Sequence, residues 1–235
     1  MGALPLLVHH PGVRLTEHPL QRPWGRLSVW RAGAGPVVLA VHGLGGSGRY
    51  WGGLAAALDR DFAVVAPDLA GFGHSDRPQL TYDRSFHLEN LDAVAQRAAG
   101  NARVIVVGHS MGGTLAALWA ARRPDRVAAL ALVAAPYPAS GNTMPRRDQR
   151  AKAQDEKRTH QRVYTAFRRA WPVITLPVRS RTFPRAVIAD YMRHSLVSYW
   201  GTAESVLWDP TTEAELQPLR GIGVPALILS ASDDV

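Results

Sequence analysis

The apolar positions of this chain gather in short runs. Those at 13–17, 26–31, 37–41, 63–66, 104–107, 127–133 and 226–230 have strand length, and from 37–41 onward they are continuous and dominated by Val, Leu, Ile and Ala. Between several of them the spacing becomes helical, at 50–58, 85–99, 114–122, 203–207 and 213–219. Strands apolar on both faces, alternating with helices, predict an α/β fold: a mostly parallel sheet with helices on both faces. The first two runs alternate and are linked by a turn, which predicts an antiparallel edge.

The rhythm breaks after about residue 137. The stretch 146–169 is basic and helical in pattern, and irregular sequence follows around Trp171-Pro172 and Leu176-Pro177. A helical pattern returns near 185–198. Inserted after the sixth strand, this segment would overhang the carboxyl ends of the strands, where open α/β sheets bind ligands. The expected organisation is therefore a core at 1–136, a cap at 137–200 and the second part of the core at 201–235.

Composition narrows the chemistry. At 235 residues and 46% hydrophobic, the chain can bury a sizeable core. It has no cysteine, which excludes disulfides, thiolate metal sites and a cysteine nucleophile. The formal charge of +8 is concentrated between Arg146 and Arg185, where twelve basic residues face three acids. Arginine outnumbers lysine 25 to two, a bias that goes with GC-rich coding, and no aromatic–basic nucleic-acid module accompanies it. No nucleic-acid partner is expected. The start of the chain lacks a basic n-region and its apolar run is broken by Pro5, and no stretch has membrane-spanning length. A cytoplasmic protein is the expectation.

The chemistry centres on Gly108-His109-Ser110-Met111-Gly112, which sits between the run 104–107 and the helical pattern from Thr114. A serine between glycines at a strand-to-helix turn predicts a nucleophile elbow, with Ser110 as the nucleophile. Met111 N–H, at the start of the helix, is one candidate oxyanion donor. His42-Gly43-Leu44-Gly45-Gly46-Ser47-Gly48 follows the third strand, the place of the second donor, and Leu44 N–H is the candidate. This loop lacks the Gly-Lys-Ser/Thr ending of a P-loop. Its formal G-x-G-x-x-G match fits dinucleotide binding less well than it fits an oxyanion loop.

Four segments carry a resemblance: His42-Gly43, Asp68-Leu69-Ala70-Gly71-Phe72-Gly73-His74-Ser75-Asp76, Gly108 to Gly113, and Pro225-Ala226-Leu227-Ile228-Leu229. In order and spacing they resemble the α/β-hydrolase superfamily, in its serine-nucleophile branch. The resemblance implies that Asp68 and His74 belong to the scaffold. It places the catalytic acid after the seventh strand, at Asp234, with Asp233 one residue away as the alternative. It places the catalytic histidine after the acid, where this sequence has none; the nine histidines present are His9, His10, His18, His42, His74, His87, His109, His160 and His194. The resulting expectation is a chain lacking the last strand and helix of the fold and possessing no catalytic histidine.

The resemblance implies a serine hydrolase acting on a small carboxylic ester or related acyl substrate, without metal or organic cofactor. A carbon–carbon hydrolase or perhydrolase would use the same serine. A ligand-binding protein with an incomplete triad is the alternative from another class.

Overall fold

The computed structural model describes residues 15–136, 155, 157–159, 161–166, 189–221 and 223–230. Among these described residues, seven strands form one sheet: β1 (Thr16–Glu17), β4 (Val29–Ala32), β5 (Val37–Val41), β6 (Ala63–Pro67), β7 (Val104–His109), β8 (Val127–Val133) and β9 (Ala226–Leu229). Their order across the sheet is β1-β4-β6-β5-β7-β8-β9. The pairs β5–β6, β5–β7, β7–β8 and β8–β9 are parallel, whereas β1–β4 and β4–β6 are antiparallel. A hairpin of β2 (Leu20–Arg22) and β3 (Gly25–Leu27) stands apart from the sheet.

The expected run 26–31 is thus two strands. Ser28 divides them because its polar groups are engaged elsewhere: its N–H donates to Ser75 Oγ (2.8 Å), its hydroxyl to Glu17 Oε1 (2.5 Å), and its carbonyl accepts from Asp68 N–H (2.9 Å). The antiparallel edge is present, formed by β1 against β4, with Thr16 opposite Arg31.

Every residue of β5 and β6 is buried, so both faces of the central sheet are covered. Along β5, Val37, Leu39 and Val41 join one apolar cluster while Val38 and Ala40 join the other. That is the period-two alternation of a strand between two helical layers. Helices α2 (Arg84–Ala99) and α3 (Met111–Arg122) cover the first face; the 3-10 turn Gly48–Trp51 and α1 (Gly52–Leu58) cover the second. Asp83 caps α2 by accepting from Phe86 N–H at 2.8 Å. Helix α4 (Leu196–Val206) begins further upstream than the pattern at 203–207 suggests, because Ser195 and Ser198 form a reciprocal capping box.

The end of the sheet corrects one expectation. The last strand and helix are present: α5 (Thr212–Leu216) and the 3-10 turn Gln217–Gly221 lead into β9. Strand β9 pairs in parallel with β8, Leu130 opposite Ala226 and Val133 opposite Leu229. Leu130 N–H donates to Pro225 O at 2.9 Å and Ala134 N–H to Leu229 O at 2.7 Å. The run 226–230 is thus the edge strand beside β8 in the described sheet. Which strand it pairs with could not be counted from motif-bearing segments along the sequence, because pairing is set by the fold.

Because β5, β6 and β7 run parallel, the loops that follow them emerge at one edge of the sheet. These are 42–47, 68–83 and the turn at Ser110. The geometry of the site rests on that juxtaposition. Of the segment 137–200, only the residues named above are described.

Candidate active site

Ser110 joins β7 to α3 with φ 52° and ψ −127°, a backbone conformation that side-chain-bearing residues rarely adopt. The turn is held by one hydrogen bond to the neighbouring strand β8 and one of its own. Ser110 N–H donates to Val133 O at 2.9 Å, and Ser110 O accepts from Gly113 N–H at 2.7 Å. The approach of strand to helix requires glycine on either side. A Cβ on Gly108 would lie 2.2 Å from Gly112 O, and one on Gly112 would lie 2.3 Å from His42 O. A strain of about 1–3 kcal/mol at one residue is tolerated because α3 is anchored by burial. Every residue from Met111 to Ala120 is buried, and each large apolar side chain among them contributes roughly 1.5–3 kcal/mol.

Ser110 is half-buried, and its hydroxyl has no hydrogen-bond partner among the described residues. The loop after β5 lies directly beside it: a Cβ on Gly43 would come within 3.3 Å of Ser110 Cβ. Gly46 N–H donates to Gly43 O at 3.0 Å and closes a turn around Leu44. Met111 N–H is the first of α3 and has no acceptor within the helix. Ser110, Met111 and Leu44 are therefore brought to one place by the fold. Asp234 and the alternative Asp233 lie outside the described residues.

The histidines around this edge are tied to the scaffold. His42 is fully buried; its Nε2 accepts from Leu69 N–H at 2.9 Å, so Nδ1 carries the proton that bonds Gly43 O at 2.8 Å. Burial lowers its pKa to about 4. His87 is likewise buried, paired with Thr202 Oγ1 at 2.8 Å, and burial lowers it to about 3. His109 stacks on Tyr50, ring centroids 5.2 Å apart. His194 Nδ1 bonds Tyr191 O at 2.5 Å.

Asp68 and His74 have scaffold contacts, in keeping with the role the resemblance implies. The buried Asp68 carboxylate accepts from Trp30 Nε1 (2.9 Å), Gly48 N–H (2.5 Å) and His74 N–H (2.6 Å). Burial pushes it up to about 7 against the pull of those donors. His74 Nε2 lies 3.1 Å from Asp190 Oδ1. Ser47 lies in the glycine-rich loop that the sequence assigns to this edge, whereas Asp190, Arg49 and Tyr191 carry no motif that points to it. Ala134, at φ 46°, is a second strained residue beside the elbow that sequence reading missed.

Among the described residues no group of three or more His, Cys, Asp or Glu side chains could hold a metal ion. Nor is any described helix long and apolar enough to cross a membrane.

Residues 36–234 match the family model of the alpha/beta hydrolase fold. The chain belongs to that family. It is 31% identical over 212 residues to a Klebsiella pneumoniae protein named "Putative carbamate hydrolase RutD", across 85% of this chain and 74% of the relative. It is 38% identical over 104 residues to a Mycobacterium tuberculosis protein described as uncharacterized, across 44% of this chain and 30% of that relative's length. The chain thus spans under a third of the first curated relatives it matches. Among solved structures, the thioesterase domain from the curacin biosynthetic pathway superposes with a TM-score of 0.70 at 22% identity, covering 94% of this chain and 87% of that one. That likeness is one of fold.

Proposed function

We propose that this alpha/beta hydrolase-fold chain is a serine hydrolase acting on a small carboxylic ester or related acyl substrate through an acyl-enzyme. The observation that carries the reading is Ser110 itself, a non-glycine residue held at φ 52°. A structural serine gains nothing from that strain, whereas a nucleophile gains projection toward the open edge of the sheet. In this mechanism Ser110 Oγ bonds to the acyl carbon as its proton passes to a base, and the Met111 and Leu44 amides hold the resulting oxyanion. Collapse of the adduct breaks the bond to the leaving alcohol, which takes the proton. Water then releases the acid and regenerates Ser110.

Asp234 is proposed as the acid that orients the base, with Asp233 as the alternative. No base is assigned among the described residues: His42, His74, His87, His109 and His194 serve the contacts given above, and His18 Nε2 pairs with Thr16 Oγ1 at 2.8 Å. The segment 137–200 is proposed to cap the site, a reading supported by the contacts of Asp190 with the loops after β5 and β6. The printed name of the Klebsiella relative, a carbamate hydrolase, supports acyl chemistry at a carbonyl.

The test is covalent. A fluorophosphonate probe should label the chain, and Ser110→Ala should abolish both labelling and hydrolysis of p-nitrophenyl butyrate. Absence of labelling would favour a ligand-binding role instead, and labelling that survives Ser110→Ala would overturn the assignment of the nucleophile.

A further inference from the structure

Three anchor points, at positions 45, 47 and 49, hold the loop after β5 and the start of the 3-10 turn that follows it from outside the strand layer. Asp190 is 1% exposed, and its carboxylate accepts from Ser47 Oγ at 2.7 Å and Arg49 Nε at 2.8 Å through Oδ2. Its other oxygen, Oδ1, takes a second hydrogen bond from the Arg49 guanidinium and lies 3.1 Å from His74 Nε2. The adjacent residue, Tyr191, covers Gly45: a Cβ there would lie 2.5 Å from Tyr191 Cε2. Gly45 has φ +75°, so the loop turns sharply at the point where the ring lies over it. Two neighbouring residues from the far end of segment 137–200 therefore grip positions 45, 47 and 49.

The grip matters because of what the loop carries. Leu44 stands one residue before the covered glycine and three before the anchored serine. From its N-terminal side the loop is fixed by His42, which bonds Leu69 N–H. A donor aimed at an oxyanion contributes only if its position is set before the charge develops. A buried carboxylate with a two-point guanidinium partner is among the stiffest polar links a protein can build. Its burial is costly unless all its partners are present. Here its partners are Ser47 and Arg49 from the stretch after β5 and His74 from the loop after β6.

We infer that Asp190 is a positioning residue, whose carboxylate clamps the 42–48 loop through Ser47 and Arg49 and so holds the Leu44 amide toward Ser110; this rests on the proposed nucleophile. The clamp couples the position of residues 190 and 191 to the oxyanion donor. Displacing residues 190 and 191 releases the loop.

The experiment uses the full chain with two variants, Asp190→Asn and Ser47→Ala. Ser47→Ala removes one link and leaves the Arg49 and His74 contacts of Asp190 in place, so it tests the clamp in a folded protein. Amide hydrogen exchange at residues 43–48 should accelerate at least tenfold in both variants, while exchange in β7 and α3 stays unchanged. Turnover of p-nitrophenyl butyrate should show kcat reduced about tenfold, with KM within twofold of the parent. The double variant should be no worse than Asp190→Asn alone. Unchanged exchange at 43–48 overturns the clamp. So does a loss of kcat matched by the fraction of unfolded protein, which marks a merely structural link. A parent chain without Ser110-dependent fluorophosphonate labelling defeats the nucleophile reading, and with it the catalytic part of the inference; the exchange result then decides the clamp by itself.

Discussion

Gly43 and Ser110 approach so closely that a methyl group on Gly43 would sit 3.3 Å from Ser110 Cβ and 3.2 Å from His109 O. The loop proposed to carry an oxyanion donor and the proposed nucleophile are in contact, with no room for an intervening side chain. Contacts at this distance are tight without being prohibitive, so a neighbour must yield by a few tenths of an ångström. Gly43→Ala should therefore fold, with a stability cost of about 1 kcal/mol, while fluorophosphonate labelling slows at least tenfold. Comparing urea midpoints with labelling rates checks the pair. Normal labelling in a folded variant would show that the loop does not set the geometry at Ser110.

The strain at Ser110 can be measured without reference to activity. Ser110→Ala and Ser110→Gly both lose the hydroxyl, but only glycine adopts φ 52° with ψ −127° without steric cost. Glycine also enlarges the unfolded ensemble, which offsets part of the gain. The balance predicts that Ser110→Gly is the more stable of the two by about 1 kcal/mol. Denaturant titration distinguishes them. Equal stabilities would mean that the elbow is unstrained.

Two buried histidines make stability depend on pH below neutrality. His42 and His87 are lowered by burial from 6.5 to about 4 and about 3. Between pH 4 and 6.5 the unfolded chain therefore binds two protons that the folded chain refuses, and their contribution is lost as pH falls through that window. Asp68 acts in the opposite sense: raised by burial to about 7, it is protonated in the fold where the unfolded chain is ionised. The net excess of one proton in the unfolded state predicts a loss of about 1.4 kcal/mol per pH unit on acidification. His87→Gln removes one of the two histidine contributions and should lower the slope by about the same amount. Chemical denaturation at pH 6.5, 5.5 and 4.5 gives both slopes, and an unchanged slope in the variant would show that His87 does not bear this role.

Sequence pattern located the elements that bury two faces or sit at a sharp turn. The runs 37–41, 104–107 and 127–133 appear within strands, and the glycines flanking Ser110 were readable because close backbone approach leaves no alternative residue. Three kinds of feature were not readable. The split at Ser28 depends on Glu17, Asp68 and Ser75, partners up to 47 positions away. The place of β9 at the sheet edge depends on its pairing with β8, which no local period records. The link from Ser47 to Asp190 spans 143 positions and joins residue types common on any surface. Non-local polar contacts of this kind have no signature in one sequence.

Arg84 joins the start of α2 to the region around α5, and its loss should be felt in stability alone. Its guanidinium donates to Glu215 Oε1 through Nε (2.9 Å), and through Nη1 to Asp209 Oδ2 (2.8 Å) and Ser205 O (2.9 Å). The side chain is 12% exposed, while its two carboxylate partners are about one-third exposed, at 31% and 34%. Burial works against ionisation of Asp209, yet the bonds from Arg84 and Thr211 hold its carboxyl at about 2. Solvent screening of the carboxylates reduces the expected effect below that of a fully buried pair. Arg84→Ala should cost about 2 kcal/mol, since it also strands the Ser205 carbonyl. In the background of Glu215→Gln the same substitution should cost measurably less, because one carboxylate no longer waits for a partner. Ser110 labelling in the folded fraction should remain at the parent rate. Additive costs in the two backgrounds would show that Arg84 and Glu215 act independently and that the junction is held by packing.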